Sequence, residues 1–519
     1  MYKSQLLKNK RIPSLCLLLL LTGCASQTFS PVSSNEISKV ARLDIAQIQE
    51  KIEPLSGPLS LNEAIARAMK YNLDRRVKLM EQAIAVDQYD LGNYDLLPKV
   101  VANAGYRTRD SDLISKSRDS VTGDLSTSHP YISSDRNVTT YDLTFTWSLL
   151  DFGQSYYIAK QNADRVLIAG ERRRKAMQNL VQDVSTAFWK AASAQRLKQK
   201  VKDAIQNAED ALDDARKVEA ERLRPPMEAL RYQRQVLENL RLLETIDHEL
   251  SASKTELAAL TGLPLSANFD VVEPERLISD SWLAAPMDKM ETIAMANNPD
   301  FRESFYGSRI AVEETKKTML RMFPGLTFTA AAKGTDDSYQ IYKQWQEAGI
   351  QVSYNLLGLF SLPAQKKMAE DGVTLAEQRR KSVLMATLAQ VHIAFLQYQH
   401  AFRQYQRADS IWSVDAKIAD LFAKQEQVQK QSKMDSIANQ TTAILSELRR
   451  YQALAVANAS ASKLRASLGM EPVVLGSADM SIQQLSVEVG KALDVWERGV
   501  PESVGGNEAE ALILKEGVK

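Results

Sequence analysis

Two very long helical stretches constrain the fold of this chain more than any other feature. Residues 153–218 contain no proline and predict one helix of about 66 residues, roughly 100 Å long at 1.5 Å per residue. A heptad series of mostly small residues, among them Leu180 and Ala187, runs along it. Residues 361–428 carry a second series that includes Val391. The chain is therefore predicted to contain two very long coiled-coil helices.

The first residues predict export from the cytoplasm. Residues 1–23 combine a basic start with a short apolar stretch, the order of a secretory signal and too short for a membrane span. The sequence Leu21-Thr22-Gly23-Cys24 resembles the bacterial lipobox, which implies cleavage before Cys24 and a covalent lipid on it. Ala25, where an aspartate would favour retention in the inner membrane, favours sorting to the outer membrane. The alternative is an ordinary signal peptide with a chance cysteine.

Cysteine, charge and motif content exclude several classes of function. Cys16 leaves with the signal and Cys24 would be acylated, so disulfides, Cys-ligated zinc and cysteine nucleophiles are not expected. The net charge of +1 falls to about −3 once the four basic residues of the signal leave, which predicts no bulk preference for nucleic acid. The four histidines follow no metal-ligand spacing, and the chain has no phosphate loop or Gly-x-Ser-x-Gly motif. We therefore expect no enzyme activity, no metal site and no cofactor.

Any membrane-spanning part is expected to consist of strands, since no run of 18 apolar residues follows the signal. Residues 139–150 alternate between an apolar face that includes Phe145 and Trp147 and a polar face that includes Asp142. Residues 348–356 alternate in the same way, and each has a candidate partner strand before it. The chain is thus expected to supply about four amphipathic strands of bilayer-crossing length.

An internal repeat organises the chain. Asn72-Leu73-Asp74 returns as Asn298-Pro299-Asp300, and Leu97-Pro98 returns as Phe323-Pro324 at the same separation. In each half, two shorter helices placed end to end match the length of the long helix, so the helices can pair antiparallel over their whole length. We interpret the chain as a duplicated helix-hairpin-helix unit.

The resulting domain prediction has six parts. These are a lipoprotein signal peptide (1–23), a lipidated linker of little periodicity (24–58), a first repeat (59–262), an inter-repeat equatorial segment (263–287), a second repeat (288–469), and a C-terminal equatorial segment and tail (470–519). Within the repeats, residues 60–96 and 288–322 are each predicted as one helix.

Four strands cannot close on themselves, and open edges in lipid leave backbone groups unpaired at a cost of several kcal/mol each. Copies of the chain must therefore join. Two copies give eight strands, whose interior side chains fill, whereas three give twelve and leave an opening. The predicted fold class is a mixed α/β membrane protein: a trimeric twelve-strand outer-membrane β-barrel, with four strands per chain, continued by a long antiparallel coiled-coil α-helical barrel.

At this point the sequence resembles the TolC-like outer-membrane efflux proteins, in their lipoprotein branch. The resemblance covers about residues 58–472 and depends on the order of motifs such as residues 59–65, Leu97-Pro98, residues 147–153 and Leu260-Thr261-Gly262. It implies a homotrimer spanning the cell outer membrane, with a long periplasmic part that docks on a periplasmic adaptor protein and an inner-membrane transporter. Such a channel exports small toxic compounds or, in type I secretion, polypeptide.

The resemblance also places candidate gate residues at the periplasmic tip. Glu228 and Asp435 stand where family members have gate acids, and Glu426 and Gln431 stand where some relatives have a gating tyrosine and arginine. Three copies of one aspartate facing a narrow lumen would form a cation-selective ring. The alternative is helix capping, because Ser432 to Asp435 has the capping-box pattern and Glu228 follows two prolines in a first helical turn.

The tip itself departs from the family. The usual glycine-bearing adaptor-contact sequence is replaced by one that contains Arg222, Leu223 and Arg224 in the first half, and Val428 and Gln429 in the second. These residues form either the adaptor contact or a solvated turn. A non-channel structural coiled-coil lipoprotein of the outer membrane is the alternative for the whole chain; it explains the heptads and the lipid but not two amphipathic hairpins.

Overall fold

The structure is a computed structural model that describes residues 31–50, 52–116, 118–125, 130–221, 225–273, 278–427, 433–470, 472 and 480–499. The chain divides into two units, Met1–Glu53 and Pro54–Lys519. The first unit contains the helix α1 (Ser34–Glu50), in which every residue is exposed. The Ser33 hydroxyl accepts a hydrogen bond from the Glu36 backbone N–H at 3.2 Å, an N-cap that explains where α1 begins. The prediction of a linker with little periodicity is therefore wrong over these residues.

The second unit begins with two helices, a strand pair and two further helices. In chain order its first half contains α2 (Leu61–Tyr71), α3 (Leu73–Tyr94), β1 (Lys99–Thr108), β2 (Ile114–Ser115), β3 (Tyr131–Ile132), β4 (Asn137–Ser148), α4 (Leu149–Ala220) and α5 (Pro226–Thr261). α4 has 72 residues, so it is about 108 Å long. The predicted long helix is confirmed, and it starts four residues earlier than predicted because Ser148 caps it through the Asp151 N–H at 3.2 Å.

The second half repeats this order of elements. It contains α6 (Met287–Asn297), α7 (Pro299–Leu320), β5 (Gly325–Thr335), β6 (Gln344–Ser353), α8 (Leu362–Gln427), α9 (Lys433–Ser467) and α10 (Ile482–Glu497). The long helix α8 has 66 residues, close to the predicted 361–428.

The predictions of single helices over 60–96 and 288–322 are wrong, for the same reason in both halves. Asn72 and Asn298 have extended backbones, with ψ of 126° and 124°, so each ends one helix and caps the next. The Asn72 side chain accepts from the Arg75 N–H at 3.0 Å, and that of Asn298 accepts from the Asp300 N–H at 3.0 Å. Asparagine competes with the helical backbone for hydrogen bonds, which makes it a natural break point.

Small apolar residues let the long helices pack closely. α4 pairs with α5, and α8 pairs with α9. The largest core cluster includes Ala187, Ala191, Leu243 and Leu257, all fully buried along the α4/α5 interface. These are the predicted heptad residues and their partners, so the coiled-coil interpretation of α4 is confirmed.

Two glycines end the return helices. Gly262 follows α5 with φ of 75°, and Gly469 follows α9 with φ of 77°, the left-handed conformation that favours glycine. Gly469 is further constrained because a Cβ there would lie 2.2 Å from the Asn297 carbonyl oxygen. The end of α9 therefore packs directly on the break between α6 and α7.

The inter-repeat segment contacts α4 about two-thirds of the way along that helix, at Gln195. The Gln195 side chain accepts from the Val271 N–H at 2.7 Å and donates to the Val271 carbonyl at 3.1 Å. Val271 in turn forms a parallel bridge with Leu59, which precedes α2. The segments before α2 and after α5 are thus held together on the surface of α4.

Candidate channel wall and tip

The four long strands form one antiparallel sheet in the order β1-β4-β5-β6. Its apolar face is exposed: Tyr141, Leu143 and Phe145 of β4 are 46%, 52% and 37% exposed. The register places Phe145 opposite Val100 on one side and opposite Ala330 on the other. An apolar face that no part of the described chain covers suits contact with lipid.

Aromatic and small residues interlock on this apolar face. The Tyr141 ring lies over Gly334, where a Cβ would come within 2.3 Å of the ring. Six residues further along β4, toward the helices, Trp147 packs on Phe328 with ring centroids 6.1 Å apart. The strand predicted for residues 139–150 is confirmed as far as Ser148; its last two residues, Leu149 and Leu150, belong to α4 instead.

The opposite face of the sheet is polar and carries a row of interacting side chains. Asn103 Nδ2 donates to Asp142 Oδ2 at 2.9 Å, and the register places Asp142 opposite Lys333. Lys333 pairs with Glu347, which also accepts from the Trp345 indole at 3.4 Å. A face of this composition suits a wall in contact with water.

Both edges of the sheet are long and open within the described chain. β1 and β6 each have 10 residues, every one exposed. β1 pairs only with β4, and β6 pairs only with β5. Exposed edges of this length invite pairing with another chain, because their outward N–H and C=O groups otherwise have only solvent as a partner.

The loops at the far ends of the two hairpins are joined to each other. Asp337, 6% exposed, accepts from the Ser134 hydroxyl at 2.7 Å, and Ser338 Oγ donates to Asp135 at 2.9 Å. The Ser134 hydrogen bond holds the pKa of Asp337 below its usual range. The β4 backbone joins this contact, since Thr139 N–H donates to Asp336 Oδ1 at 2.6 Å.

The predicted gate residues are only partly within the described structure. Glu228 is exposed in the first turn of α5, where its N–H donates to the Pro225 carbonyl at 3.0 Å. An acid in this position suits the helix dipole. The position of Glu228 is therefore compatible with a helix-capping role as well as with a gate role. Asp435 lies in α9 and Glu426 lies in α8.

The remaining predicted sites lie outside the described residues. They are the gate candidate Gln431, the tip residues Arg222, Leu223, Arg224, Val428 and Gln429, and the lipid attachment site Cys24.

Sequence reasoning missed a ladder of four ion pairs and one hydrogen bond between α4 and α7, which we call the charged seam. Its five contacts are Lys175–Asp300 (2.7 Å), Arg172–Glu303 (2.8 Å), Glu171–Arg302, Asp164–Arg309 (2.6 Å) and Gln161–Glu314 (2.9 Å). The two helices run antiparallel, so residue numbers rise on one as they fall on the other. The sequence does contain a pattern that indicates this pairing: the acids Asp164 and Glu171 are seven residues apart, and so are the bases Arg302 and Arg309.

Two carboxylates of the charged seam are buried. Glu171 is 0% exposed, and Arg174 pairs with its other oxygen at 2.7 Å. Asp164 is 2% exposed, and burial raises its pKa above the ordinary value despite the neighbouring Arg309. Buried charges of this kind fix one arrangement of two helices, because any shift leaves a charge without its partner.

No group of three or more His, Cys, Asp or Glu side chains is placed to hold a metal ion anywhere in the described ranges. His392 instead lies 2.6 Å from Glu291, between α8 and α6.

None of the helices within the described residues combines the length and the apolar character that a membrane crossing requires.

Comparison with known proteins shows a family match for part of the chain and similarity to solved membrane-protein structures. Residues 65–263 match the model of the outer membrane efflux protein family. A search of curated proteins gave no match. Among solved structures, a membrane protein from Pseudomonas aeruginosa is 13% identical with a TM-score of 0.62, covering 82% of this chain and 93% of its own.

Two further structures carry the name of outer membrane channels. The CmeC outer membrane channel of Campylobacter jejuni is 14% identical, with a TM-score of 0.60 over 83% of this chain and 89% of its own. The open state of the MtrE outer membrane channel of Neisseria gonorrhoeae is 14% identical, with a TM-score of 0.60 over 79% and 88%. At these identities the likeness shows the fold, which is that of channel proteins. The resemblance drawn from sequence is thereby confirmed: residues 65–263 match the outer membrane efflux protein family, and the chain has the fold of these TolC-like channel structures.

Proposed function

We propose that this protein is a trimeric export channel of the cell outer membrane, the outermost component of an envelope-spanning efflux or type I secretion system. The observation that carries the proposal is the four-stranded sheet, with one exposed apolar face, one polar face and two open edges. Edge β6 of one copy would pair with edge β1 of the next. Three copies give a twelve-strand barrel whose polar faces line a water-filled lumen, whereas two give eight strands and no opening.

Exposed apolar stripes on the long helices support association of copies. On α8, Ile411, Val414, Ile418 and Leu421 follow heptad spacing and are 37–57% exposed. On α5, Met227, Leu230 and Leu237 follow the same spacing and are 48–65% exposed. Stripes of this kind are coiled-coil surfaces without a partner inside the described chain, and they would pair with each other between neighbouring copies. The helices would then continue the barrel as a tunnel.

We further propose that the two halves arose by duplication. Asn72 and Asn298 break the short helices at matching positions with matching backbone angles, and Gly262 and Gly469 end the return helices in the same left-handed conformation. Equivalent halves make each subunit contribute two hairpins and two helix pairs of similar length. This gives the barrel a near-even wall from only three chains.

The lipobox-like sequence supports a lipid anchor on Cys24 in the periplasmic leaflet of the outer membrane. Replacement Cys24→Ala is expected to abolish incorporation of labelled palmitate while the strands still insert. Labelling that persists in the variant would contradict the assignment. The tip would face inward toward a periplasmic adaptor protein and an inner-membrane transporter.

At the tip, Asp435 and Glu228 are our candidates for an acidic gate, and their alternative role is helix capping. Replacement Asp435→Ala is expected to raise the open probability of single channels and to weaken block by divalent cations. Replacement Asp435→Ser, which keeps a capping oxygen, serves as the control. If both variants behave as wild type, the gate role is wrong.

The decisive experiment for the proposed function is conductance of the purified protein in planar bilayers, together with heat-modifiable migration of a trimer on a gel. A structural coiled-coil lipoprotein would give no current and a monomeric band. A gene deletion scored for both drug susceptibility and the secreted proteome then separates efflux from type I secretion.

A further inference from the structure

Charged residues in the strands of the sheet are few, and they lie together. β4, β5 and β6 contain one charged residue each: Asp142, Lys333 and Glu347. The register places Asp142 opposite Lys333, and it places Glu347 opposite Ala331, two residues from Lys333. Because side chains alternate between the two faces of a sheet, all three charges lie on the polar face. Three strands thus carry their single charge at nearly the same level.

Side chains from all four strands take part at this level. Asn103 of β1 donates from Nδ2 to Asp142 at 2.9 Å. Lys333 pairs with Glu347, which also accepts from the Trp345 indole at 3.4 Å. We call these five residues the charged girdle.

The charged girdle contributes little to the stability of the sheet. Lys333 and Glu347 are 36% and 51% exposed, and an ion pair this exposed gains little free energy, because water screens both charges. The alternative that the charges only hold the strands together therefore explains little of their clustering.

Small, uncharged residues line the polar face on both sides of the charged girdle. Apart from Asp142 and Lys333, that face of β4 and β5 is built from threonine, serine, alanine, valine and glycine; Thr140 and Thr146 are examples. Within these two central strands, the girdle side chains therefore extend furthest from the sheet. In a closed barrel, their level is the most charged and the narrowest along β4 and β5.

Threefold assembly would concentrate this charge. The axis would place the three copies of each girdle residue at one level of the lumen. Each copy supplies two carboxylates and one ammonium group, a net charge of −1, so three copies supply −3. A water-filled lumen with low-dielectric walls focuses the field of such charges on a solute that passes through it.

We propose that the charged girdle is a selectivity band of the barrel: it eases the passage of cargo that carries ammonium or guanidinium groups, and it hinders cargo of negative charge. The inference rests on the proposed channel function and deepens it by naming a class of cargo. It is separate from the acidic gate candidates Asp435 and Glu228, which lie on α9 and α5, outside the sheet.

The test measures access to two positions of the polar face, Thr140 on the loop side of the girdle and Thr146 on its helix side. Each is replaced by cysteine in the full-length protein. Cys16 leaves with the predicted signal and Cys24 would be acylated, so the introduced thiol is expected to be the only free one.

Intact cells receive one of two thiol-reactive peptides of equal length, one lysine-rich and one glutamate-rich, both too large for general porins. A peptide added outside meets Thr140→Cys before the girdle and Thr146→Cys only after it. The Thr140→Cys variant therefore corrects for attraction of either peptide to the cell surface.

The ratio of labelling rates, lysine-rich over glutamate-rich, is expected to be about tenfold higher at Thr146→Cys than at Thr140→Cys. Glu347→Gln neutralises the band and should bring the two ratios together, whereas Lys333→Gln doubles its net charge and should raise the ratio at Thr146→Cys further. Glu238→Gln is the matched control: this exposed glutamate lies on α5, beyond Thr146 on the path from outside, and its loss should change neither ratio.

Equal ratios at the two positions in the wild-type background overturn the inference. So does a Glu347→Gln variant that still migrates as a heat-modifiable trimer and keeps the wild-type difference between the ratios. Failure of the channel function gives a different result: neither peptide labels Thr146→Cys in intact cells, and the purified protein passes no current. That result refutes the channel function and the inference with it.

Discussion

The charged seam and the α4/α5 interface hold the same helix by opposite means. Between residues 161 and 175, α4 meets α7 through ion pairs, two of them with fully buried carboxylates. Nearer the tip, α4 meets α5 through alanines and leucines that are almost completely buried. We call the second region the apolar seam. Charges specify one register, because each must meet its own partner. Small apolar residues specify close approach, and they tolerate a change of crossing angle better.

The charged seam and the apolar seam suit two regions of α4 to different roles. Next to the sheet, a fixed register between the two halves preserves the strand alignment on which a barrel depends. Nearer the tip, the proposed channel would have to change its width, and an apolar interface with few directional contacts would allow this. Within the apolar seam, Glu447 of α9 also contacts α4, and its carboxylate lies 2.6 Å from Lys200 Nζ.

The strongest test of the comparison is to remove a buried charge from the charged seam. Glu171→Ala leaves Arg174 and Arg302 without their carboxylate, and the local opening free energy of α7 is expected to fall by about 3–5 kcal/mol. Hydrogen exchange of residues 299–320 measures this. Glu303→Ala, in an exposed pair of the same seam, is the control, with an expected loss of about 0–1 kcal/mol. Equal losses in the two variants would mean that burial is not what gives the charged seam its strength.

A large apolar deletion tests the other region. Leu243→Ala empties a fully buried site of the apolar seam and is expected to cost about 2–5 kcal/mol of local opening free energy in α5. The exposed Leu242→Ala, one residue earlier, is the control and should change little. Exchange in α7 should be unaffected, since the two seams share no side chain in this region. A matching loss in α7 would show that the seams are not separate.

Salt should distinguish the seams without any substitution. Raising KCl from about 0.05 M to 1 M screens exposed pairs such as Lys175–Asp300, each worth roughly 0.2–1 kcal/mol. Hydrogen exchange in α7 is therefore expected to accelerate modestly. Exchange in α5 between residues 236 and 257 should stay constant or slow, because apolar contacts are not screened. Acceleration of both helices to the same extent would contradict the distinction.

A change of pH is expected to give the smallest effect on the stability of α7. The pKa of Asp164 is raised by burial, so between pH 3.8 and that raised value the folded protein keeps a proton that the unfolded chain has lost. The contribution of Asp164 to stability therefore falls as pH rises through this window and is constant above it. Asp164→Asn should remove that slope from the α7 exchange profile. A slope unchanged in the variant would assign it to another group.

The sequence predicted those parts of the fold that depend on local periodicity. Heptads located α4 and α8, alternation located β4, and the Ser60 pattern located the start of α2, where Ser60 Oγ accepts from the Glu63 N–H at 3.2 Å. It failed at Asn72, because the run of helix-forming residues on both sides outweighed one capping residue in the interpretation. The pattern Asn-x-Asp, present at Asn72 and Asn298, contained the correct signal.

Ion pairs between residues that are distant in the chain could not be predicted from the sequence. Glu171 and Arg302 are far apart in the chain, and a charged residue within a heptad reads equally well as a solvated position. Glu447 has the same difficulty, since its partners Lys200 and Arg196 belong to the other half. Only the register of packed helices shows which charges are buried together.

If neighbouring copies complete the sheet, its two edges must meet between chains, and cross-linking of these edges tests this. Three double-cysteine variants would be made, each combining Ala102→Cys in β1 with one cysteine in β6, at position 346, 348 or 350. Each variant would be oxidised in native membranes. We expect a reducible band of three chains at one β6 position and little at the others, because strand register is fixed. Cross-links only within one chain, or none at any position, would show that the edges do not meet between copies.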